Sequence, residues 1–407
     1  MAKILHINTS LNCNSTGKIV EQIGLLAMSE GWDCYIAHGP RYKIPSALKT
    51  YEISSAIGEK WHFINSLLFD AHGLSSKRGT IRLVEWIKEI KPDIIHLHNI
   101  HGYYINYPIL FDYLSKAEKP IVWTLHDCWS ITGHCTFFEG VGCERWKTGC
   151  GHCIYMNDYP KTLFIDRSAR NYRLKKTAFT SPNNLTIVSV SDWLGHIVKE
   201  SYLGIYPVHV IHNGTDLNIF KPQESDIRAR FNFKNETIVL GIASVWHERK
   251  GLSDFIKLAE DKKNKVILVG VTEKIQKKLP SSIISIRRTN NQQELAKLYS
   301  GADIFVNPTY DDNFPTTNIE ALACGTPVVT YRTGGSHEAI DDETGIVVNK
   351  GDFCGLKQAI ESIRNNGKFR YSAACRKRAE EYFNKDDRFM DYINLYKELL
   401  NEKGCSR

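Results

Sequence analysis

Two carboxylates in the second half of the chain stand eight residues apart, Asp312 and Glu320, inside Asn307-Pro308-Thr309-Tyr310-Asp311-Asp312-Asn313-Phe314-Pro315-Thr316-Thr317-Asn318-Ile319-Glu320-Ala321-Leu322-Ala323-Cys324-Gly325. The stretch reads as strand, loop and short helix, with Pro315 suited to the first helical turn and Gly325 to the C-terminal cap. That separation is too wide for neighbouring turns of one helix, so Asp312 belongs to the loop and Glu320 to the helix. Unpaired amides and the dipole at a helix start both favour negative charge, so the start at Phe314, Pro315, Thr316 and Thr317 can hold a diphosphate. The lesser alternative is that the two acids are a solvated loop charge and a helix-surface charge.

In the first half, His126-Asp127 directly follows the apolar run Ile121 to Leu125. The carboxyl end of a parallel strand faces the ligand, which makes His126 a candidate contact; a purely structural hydrogen bond to Asp127 is the alternative. His96 and His98 read as core histidines or as support for it. Beyond them, Cys135, Cys143, Cys150 and Cys153 are spaced C-x7-C-x6-C-x2-C. Four thiols ending in a C-x2-C knuckle suit a tetrahedral structural zinc. Reduced packing cysteines and redox or disulfide chemistry are the other readings, and Cys128, His134 and His152 are reserve ligands.

Short β-branched runs alternate with longer amphipathic segments, the pattern of parallel sheets with helices on both faces. Strands are expected at Ile4 to Ile7, Cys34 to Ala37, Ile94 to Leu97, Ile121 to Leu125, Ile187 to Val190 and Val208 to Ile211. A second series is expected at Ile238 to Ala243, Val266 to Gly270, Ile283 to Ile286, Ile304 to Val306, Val328 to Thr330 and Ile346 to Val348. Turn chemistry at Asn213-Gly214-Thr215-Asp216 predicts two domains, 1–215 and 216–386. Residues 387–400 carry apolar side chains at helical spacing and form a packing helix able to return to the first domain. Two such α/β domains facing each other make one cleft.

Three further segments accompany the acidic pair: Asn12-Cys13-Asn14-Ser15-Thr16-Gly17-Lys18 after the first strand, Arg249-Lys250-Gly251, and Gly334-Gly335-Ser336 with Glu338. With them the sequence resembles the retaining glycosyltransferases of family 4, whose GT-B fold sets two Rossmann-like, doubly wound domains across a cleft. The resemblance implies that Glu320 binds the nucleotide ribose, that Asp312 lies near the donor sugar and that Lys250 meets the donor phosphates. It implies that the loop around Gly17 faces donor and acceptor and that His126 contacts the donor sugar near the reaction centre. The chain departs from the pattern in three places: Asp312 stands where the family usually has Glu, Ser244-Val245 where it usually has an Arg that Arg249 would replace, and Gly17 is the one glycine of its loop. The implied activity is retaining transfer of a hexose-type sugar from a UDP- or GDP-sugar to a glycan or undecaprenyl-diphosphate-linked acceptor in cell-surface polysaccharide biosynthesis. No D-x-D motif follows an apolar strand, so no catalytic metal is expected. A GT-B-like nucleotide-sugar epimerase and a non-catalytic zinc-bearing binding protein are the alternatives.

Length and composition agree with this frame. The 407 residues exceed what one core supports, and a net charge of +7 falls short of a nucleic-acid-binding signature. The apolar opening Ile4 to Ile7 is too short for a signal peptide and no window suits a spanning helix, so a cytoplasmic protein with reduced cysteines is expected. Asp166 to Phe179, with Arg167, Arg170, Arg173, Lys175 and Lys176 beside Phe164, Tyr172 and Phe179, reads as a basic helix. Its face could meet a lipid diphosphate or the inner face of the membrane, or could simply be solvated.

Overall fold

The computed structural model describes residues 2–405 and divides into two compact units. One comprises the chain through Ile211 together with the segment from Phe389 onward; the other is His212–Arg388. The first contains the strands β1 (Lys3–Leu11), β2 (Asp33–Lys43), β3 (Lys49–Glu52), β4 (Ile94–Leu97), β5 (Ile121–Leu125), β6 (Leu185–Ser189) and β7 (Val208–Val210), in the order β3-β2-β1-β4-β5-β6-β7. The second contains β8 (Thr237–Ile242), β9 (Asn264–Val269), β10 (Ile284–Ile286), β11 (Ile304–Asn307), β12 (Val328–Arg332) and β13 (Gly345–Asn349), in the order β10-β9-β8-β11-β12-β13. Every strand pair is parallel.

Both sheets are therefore doubly wound α/β layers, and each has one place where the strand order reverses. In the first it lies between β1 and β4, in the second between β8 and β11. Ligands of open parallel sheets bind outside the carboxyl ends of the strands at such switch points. The chain leaving β1 carries Gly17 and the chain leaving β4 carries His98; that leaving β8 carries Lys250 and that leaving β11 carries Asp312. Each expected strand recurs, with ends shifted by a few residues. Added to them is β3, Lys49-Thr50-Tyr51-Glu52, whose largely exposed residues carry no apolar alternation because it is an edge strand.

The last helix, Lys385–Cys405, supplies Phe389, Tyr392, Ile393, Leu395 and Tyr396 to the core of the first unit, beside Ile4, Ile36 and Ile94. Burying each such large apolar side chain contributes roughly 1.5–3 kcal/mol. Two of its phenols also serve polar groups in that core. Tyr396 Oη lies 2.6 Å from His96 Nδ1, and Tyr392 Oη lies 3.5 Å from Thr124 Oγ1. Among the described residues no helix is long and apolar enough to cross a membrane.

Since His96 and Tyr396 are both wholly buried, replacing Tyr396 by Phe strands one imidazole nitrogen without changing the packing. Urea denaturation should show a loss of ~1–3 kcal/mol for the unit that holds them.

Candidate functional site

In the second unit the donor candidates are set by backbone contacts between two strand exits. After β8 the chain makes a 3-10 turn, Glu248–Lys250, and Gly251 follows at φ +71. A Cβ at Gly251 would overlap the carbonyl oxygen of Pro308, just past β11. The two exits are then hydrogen-bonded: Tyr310 N donates to Arg249 O at 2.8 Å, and Arg249 Nη1 donates to Asp311 O at 2.6 Å. Arg249 thus ties the loop together, while the next side chain, Lys250, forms an ion pair with Asp312. Gly334, at φ +49 after β12, lies against the carbonyl of Asp312, and Gly335 N donates to that carbonyl at 3.2 Å.

The helix that follows is Thr316–Ala323, with Pro315 at its N-cap and no capping side chain. Cys324 is the C-cap and Gly325 follows at φ +70, the left-handed position that ends a helix. Asn318, Ile319, Ala321, Leu322 and Ala323 are buried, whereas Thr316, Thr317 and Glu320 are partly exposed and, by helical spacing, share one face. The candidate donor residues of the helix are therefore its solvent-facing stripe. Tyr299 Oη donates to Glu320 Oε2 at 3.0 Å, which holds one carboxylate oxygen in place. Asn318 locks the buried side: its amide oxygen accepts from Asn307 Nδ2 at 2.9 Å and its Nδ2 donates to Ser336 O at 2.8 Å. Phe314 is buried and packs on His212 and Phe383, with ring centroids 4.8 and 5.9 Å away. Tyr299 carried no motif signal, and Asn307, Asn318 and Ser336, though inside the quoted segments, were given no role, because their hydrogen bonds cannot be read from local sequence.

In the first unit Gly17 lies in the first turn of the helix Asn14–Ser29, where a Cβ would come within 2.7 Å of Ser10 Oγ. Neither Asn14 nor Ser15 caps this helix; the N-cap is Cys13, without a side-chain bond. His126 follows β5, and the carboxylate of Asp127 is hydrogen-bonded elsewhere. Asp127 Oδ2 is 2.8 Å from His101 Nε2, and its Oδ1 accepts from Trp129 N at 2.9 Å. His126 belongs to a row of imidazoles: His6 Nδ1 lies 3.2 Å from His98 Nε2, and His98 Nδ1 lies 3.3 Å from His126 Nε2. Burial pushes His126 down to about 4 and His6 to about 3, and holds His98 well below the ordinary range, so all three are neutral at neutral pH.

A neutral imidazole has one donor and one acceptor nitrogen, so the row has two consistent proton arrangements. Either every Nδ1 carries the proton or every Nε2 does. The second would leave an N–H at His6 Nε2, which is buried without a hydrogen-bond partner. Orphaned buried N–H groups are rarer than unmet acceptors, which favours the first arrangement and puts the His126 proton on Nδ1. His6, His96 and His98 also offer ring nitrogens within 4.8 Å of one another. Both nitrogens of His96 are already engaged, by Tyr396 Oη at 2.6 Å and Thr124 Oγ1 at 2.8 Å, so this trio is a hydrogen-bonded core and not a metal site.

Two further expectations meet the structure here. The helix of the basic segment is Ser168–Phe179, and Tyr172, Lys175 and Phe179 turn inward. Lys175 Nζ donates to Trp129 O at 2.7 Å and Thr132 O at 3.0 Å, and burial pushes its ammonium down to about 7. The carbonyls of the helix-free segment recruit it, so the basic face reduces to Arg170, Arg173 and Lys176, with Arg167 partly covered. Cys135, Cys143, Cys150 and Cys153 line one cavity, but among the described residues no three of these thiols lie within 4.8 Å of one another.

Comparison with known proteins bears on both units. A family model described as Glycosyltransferase Family 4 matches residues 55–219, and one described as Glycosyl transferases group 1 matches residues 223–382. The chain is 25% identical over 333 residues to an Escherichia coli K12 protein named as a colanic acid biosynthesis glycosyl transferase, WcaC, covering 76% of this chain and 77% of that one. It is 24% identical over 237 residues to the capsular polysaccharide biosynthesis glycosyltransferase CapM of Staphylococcus aureus, covering 53% and 62%. Among solved structures, sucrose-phosphate synthase of Thermosynechococcus elongatus superposes with a TM-score of 0.74 at 18% identity, covering 99% of this chain and 100% of that one. Anabaena HepE in complex with UDP-glucose superposes with a TM-score of 0.66 at 14% identity, covering 98% and 100%.

The neutral buried histidines make stability depend on pH. His6, His62 and His126 sit at about 3, 3 and 4 in the folded chain, against about 6.5 when unfolded. The unfolded state therefore binds more protons between these values. Their contribution is complete above about pH 6.5 and falls as the pH drops, by up to ~1.4 kcal/mol per pH unit for each histidine. Denaturation midpoints at pH 7.5, 6.0 and 5.0 should fall in that order.

Proposed function

We propose, from the match of residues 55–219 to a Glycosyltransferase Family 4 model and of residues 223–382 to a Glycosyl transferases group 1 model, that the chain transfers a hexose from a UDP- or GDP-sugar to a glycan or lipid-linked acceptor, with retention of configuration, in the making of a bacterial surface polysaccharide. The observation that carries this reading is the meeting of Lys250 with Asp312 beside the uncapped start of the helix whose exposed stripe is Thr316, Thr317 and Glu320. A cation, helix-start amides and a carboxylate one turn on are the groups a nucleoside diphosphate requires: charge for the phosphates and an acceptor for the ribose hydroxyls. The acceptor class is supported by WcaC and CapM, which are named for colanic acid and capsular polysaccharide biosynthesis. The donor class is supported by HepE, whose structure holds UDP-glucose.

In this reading Lys250 and the helix start stabilise the departing diphosphate as its charge develops. The acceptor hydroxyl attacks on the face the nucleotide leaves, and the leaving phosphate oxygen takes its proton. His126, neutral and with its proton on Nδ1, donates a fixed hydrogen bond to the donor sugar and needs no change of protonation. Asp312, one methylene shorter than Glu, holds Lys250 until the donor arrives.

We also infer that the first unit touches an anionic membrane surface when it meets its acceptor. The helix Ala56–Phe69 exposes Ile57 by 81% and Trp61 by 64%, with Ile64 at the next helical step. Phe164, 78% exposed, is brought beside it by the bond from Leu163 N to Leu67 O, 2.9 Å. Lys60, Lys161 and Arg167 flank the patch, the composition of an interfacial surface.

Glu320→Ala and Lys250→Ala should each weaken binding of the accepted UDP- or GDP-sugar by ~1.5–3 kcal/mol, read by calorimetry, while His126→Ala should lower kcat more than donor affinity. Donor affinity unchanged in both of the first two variants would remove the donor assignment. Nucleotide release that needs no acceptor would favour the epimerase, and no release at all the binding protein.

Sedimentation with vesicles should pull down the wild-type chain with phosphatidylglycerol and not with phosphatidylcholine alone. Trp61→Glu should abolish that difference; equal pelleting of wild type and variant would exclude this face.

A further inference from the structure

Between β5 and the helix Ser168–Phe179, residues 126–167 contain no strand and no α-helix, only the 3-10 turns Trp129–Ile131, Glu139–Val141 and Arg145–Lys147. Segments of that length without backbone ladders are uncommon in compact units and need another means of support. Inside this one is a cavity lined by His134, Cys135, Cys143, Cys150 and Cys153, among others. Cys150 Sγ accepts from Gly133 N at 3.2 Å. The turn between Cys150 and Cys153 is pinned by Arg145, whose guanidinium donates to the carbonyls of Gly151 and His152.

His134 is the informative neighbour. Its Nδ1 lies 2.7 Å from Asp70 Oδ1, with both side chains almost wholly buried. The other oxygen of Asp70 accepts from Arg167 N at 2.8 Å. A carboxylate accepts only, so Nδ1 is the nitrogen that carries a proton, and with a metal bound Nε2 would present its lone pair. That Nε2 is buried and has no hydrogen-bond partner. A carboxylate on the far nitrogen is what orients a metal-ligating histidine and raises its basicity.

We propose that His134 Nε2, Cys135, Cys150 and Cys153 hold one zinc ion that fastens the 126–167 excursion to Asp70, at the end of the helix Ala56–Phe69. His134 takes the place given to Cys143 on spacing alone. Cys143 is the more exposed residue, whereas His134 is buried and already oriented by Asp70. Binding requires rotamer changes at the cysteines, because their sulfurs do not yet converge. The charge of three thiolates around the ion is offset by the buried ammonium of Lys175, which interacts with Cys150 and Cys135. The site is independent of the donor residues and of the proposed reaction.

The test is metal analysis of the full chain, purified under reducing conditions without added zinc, with X-ray absorption at the zinc edge. The expected result is about one zinc per chain in a shell of three sulfurs at ~2.3 Å and one nitrogen at ~2.0 Å. Cys143→Ser should keep that content, and Asp70→Asn should weaken zinc retention against a chelator by roughly 10–100-fold. A folded, reduced wild-type chain that neither contains zinc nor takes it up on titration would overturn the site. A four-sulfur shell, or loss of zinc in Cys143→Ser with full retention in Asp70→Asn, would overturn the ligand set.

Discussion

A side chain at residue 251 would have to share space with the carbonyl oxygen of Pro308, and the donor half of the molecule depends on that contact. Because the two backbones touch there, the exit of β8 hydrogen-bonds directly to the exit of β11 through Arg249, Tyr310 and Asp311. Gly334 brings the exit of β12 onto the carbonyl of Asp312 in the same way. Three strand ends are thereby fixed against one loop, and that loop feeds the helix carrying Glu320. Glycine at 251 and 334 costs conformational entropy in the unfolded chain, but no other residue allows the approach, and both positions have positive φ.

The two units bring different electrostatics to the proposed reaction. The donor candidates of the second are charged and partly exposed, as a site for a nucleoside diphosphate requires. The histidines of the first are buried, neutral and joined nitrogen to nitrogen, so His126 offers a dipole and no charge. A fixed dipole needs no reorganisation when charge develops, and transfer assisted by the leaving diphosphate asks for no protein base. Neutrality at His126 is therefore compatible with turnover, and an imidazole held at about 4 would be a weaker proton acceptor than an ordinary one.

Strand periodicity and turn residues carried most of the fold, since a buried parallel strand is an apolar run whatever its partners. The edge strand β3 escaped because it buries no face. The acidic pair and the helix boundary could be singled out because those residues lie in one short stretch, whereas Lys250, 62 residues earlier, was singled out only through the resemblance. Tyr299 on Glu320 and His6 on His98 could not be, for the first pair meets between two packed helices and the second across adjacent strands. Lys175 failed for a related reason: a lysine in a basic run looks solvated, and nothing local shows that the unladdered carbonyls of Trp129 and Thr132 claim it.

The loop after β1 shows how a departure from a family pattern can leave the geometry intact. Where the family has several glycines, this chain keeps Gly17, yet Asn12 and Asn14 adopt φ of 48 and 57 degrees. Asparagine is among the few residues that enter this left-handed region without great cost. The backbone turns that glycines would permit are thus made with side chains present. Asn12 uses its amide to hold Pro45 O at 2.8 Å, which stiffens the loop instead of leaving it bare. Gly17 alone could not be exchanged in this way, because its difficulty is the closeness of Ser10 and not the sign of φ. What the asparagines change is the space beside the backbone, which is filled by amide side chains where glycines would leave it open.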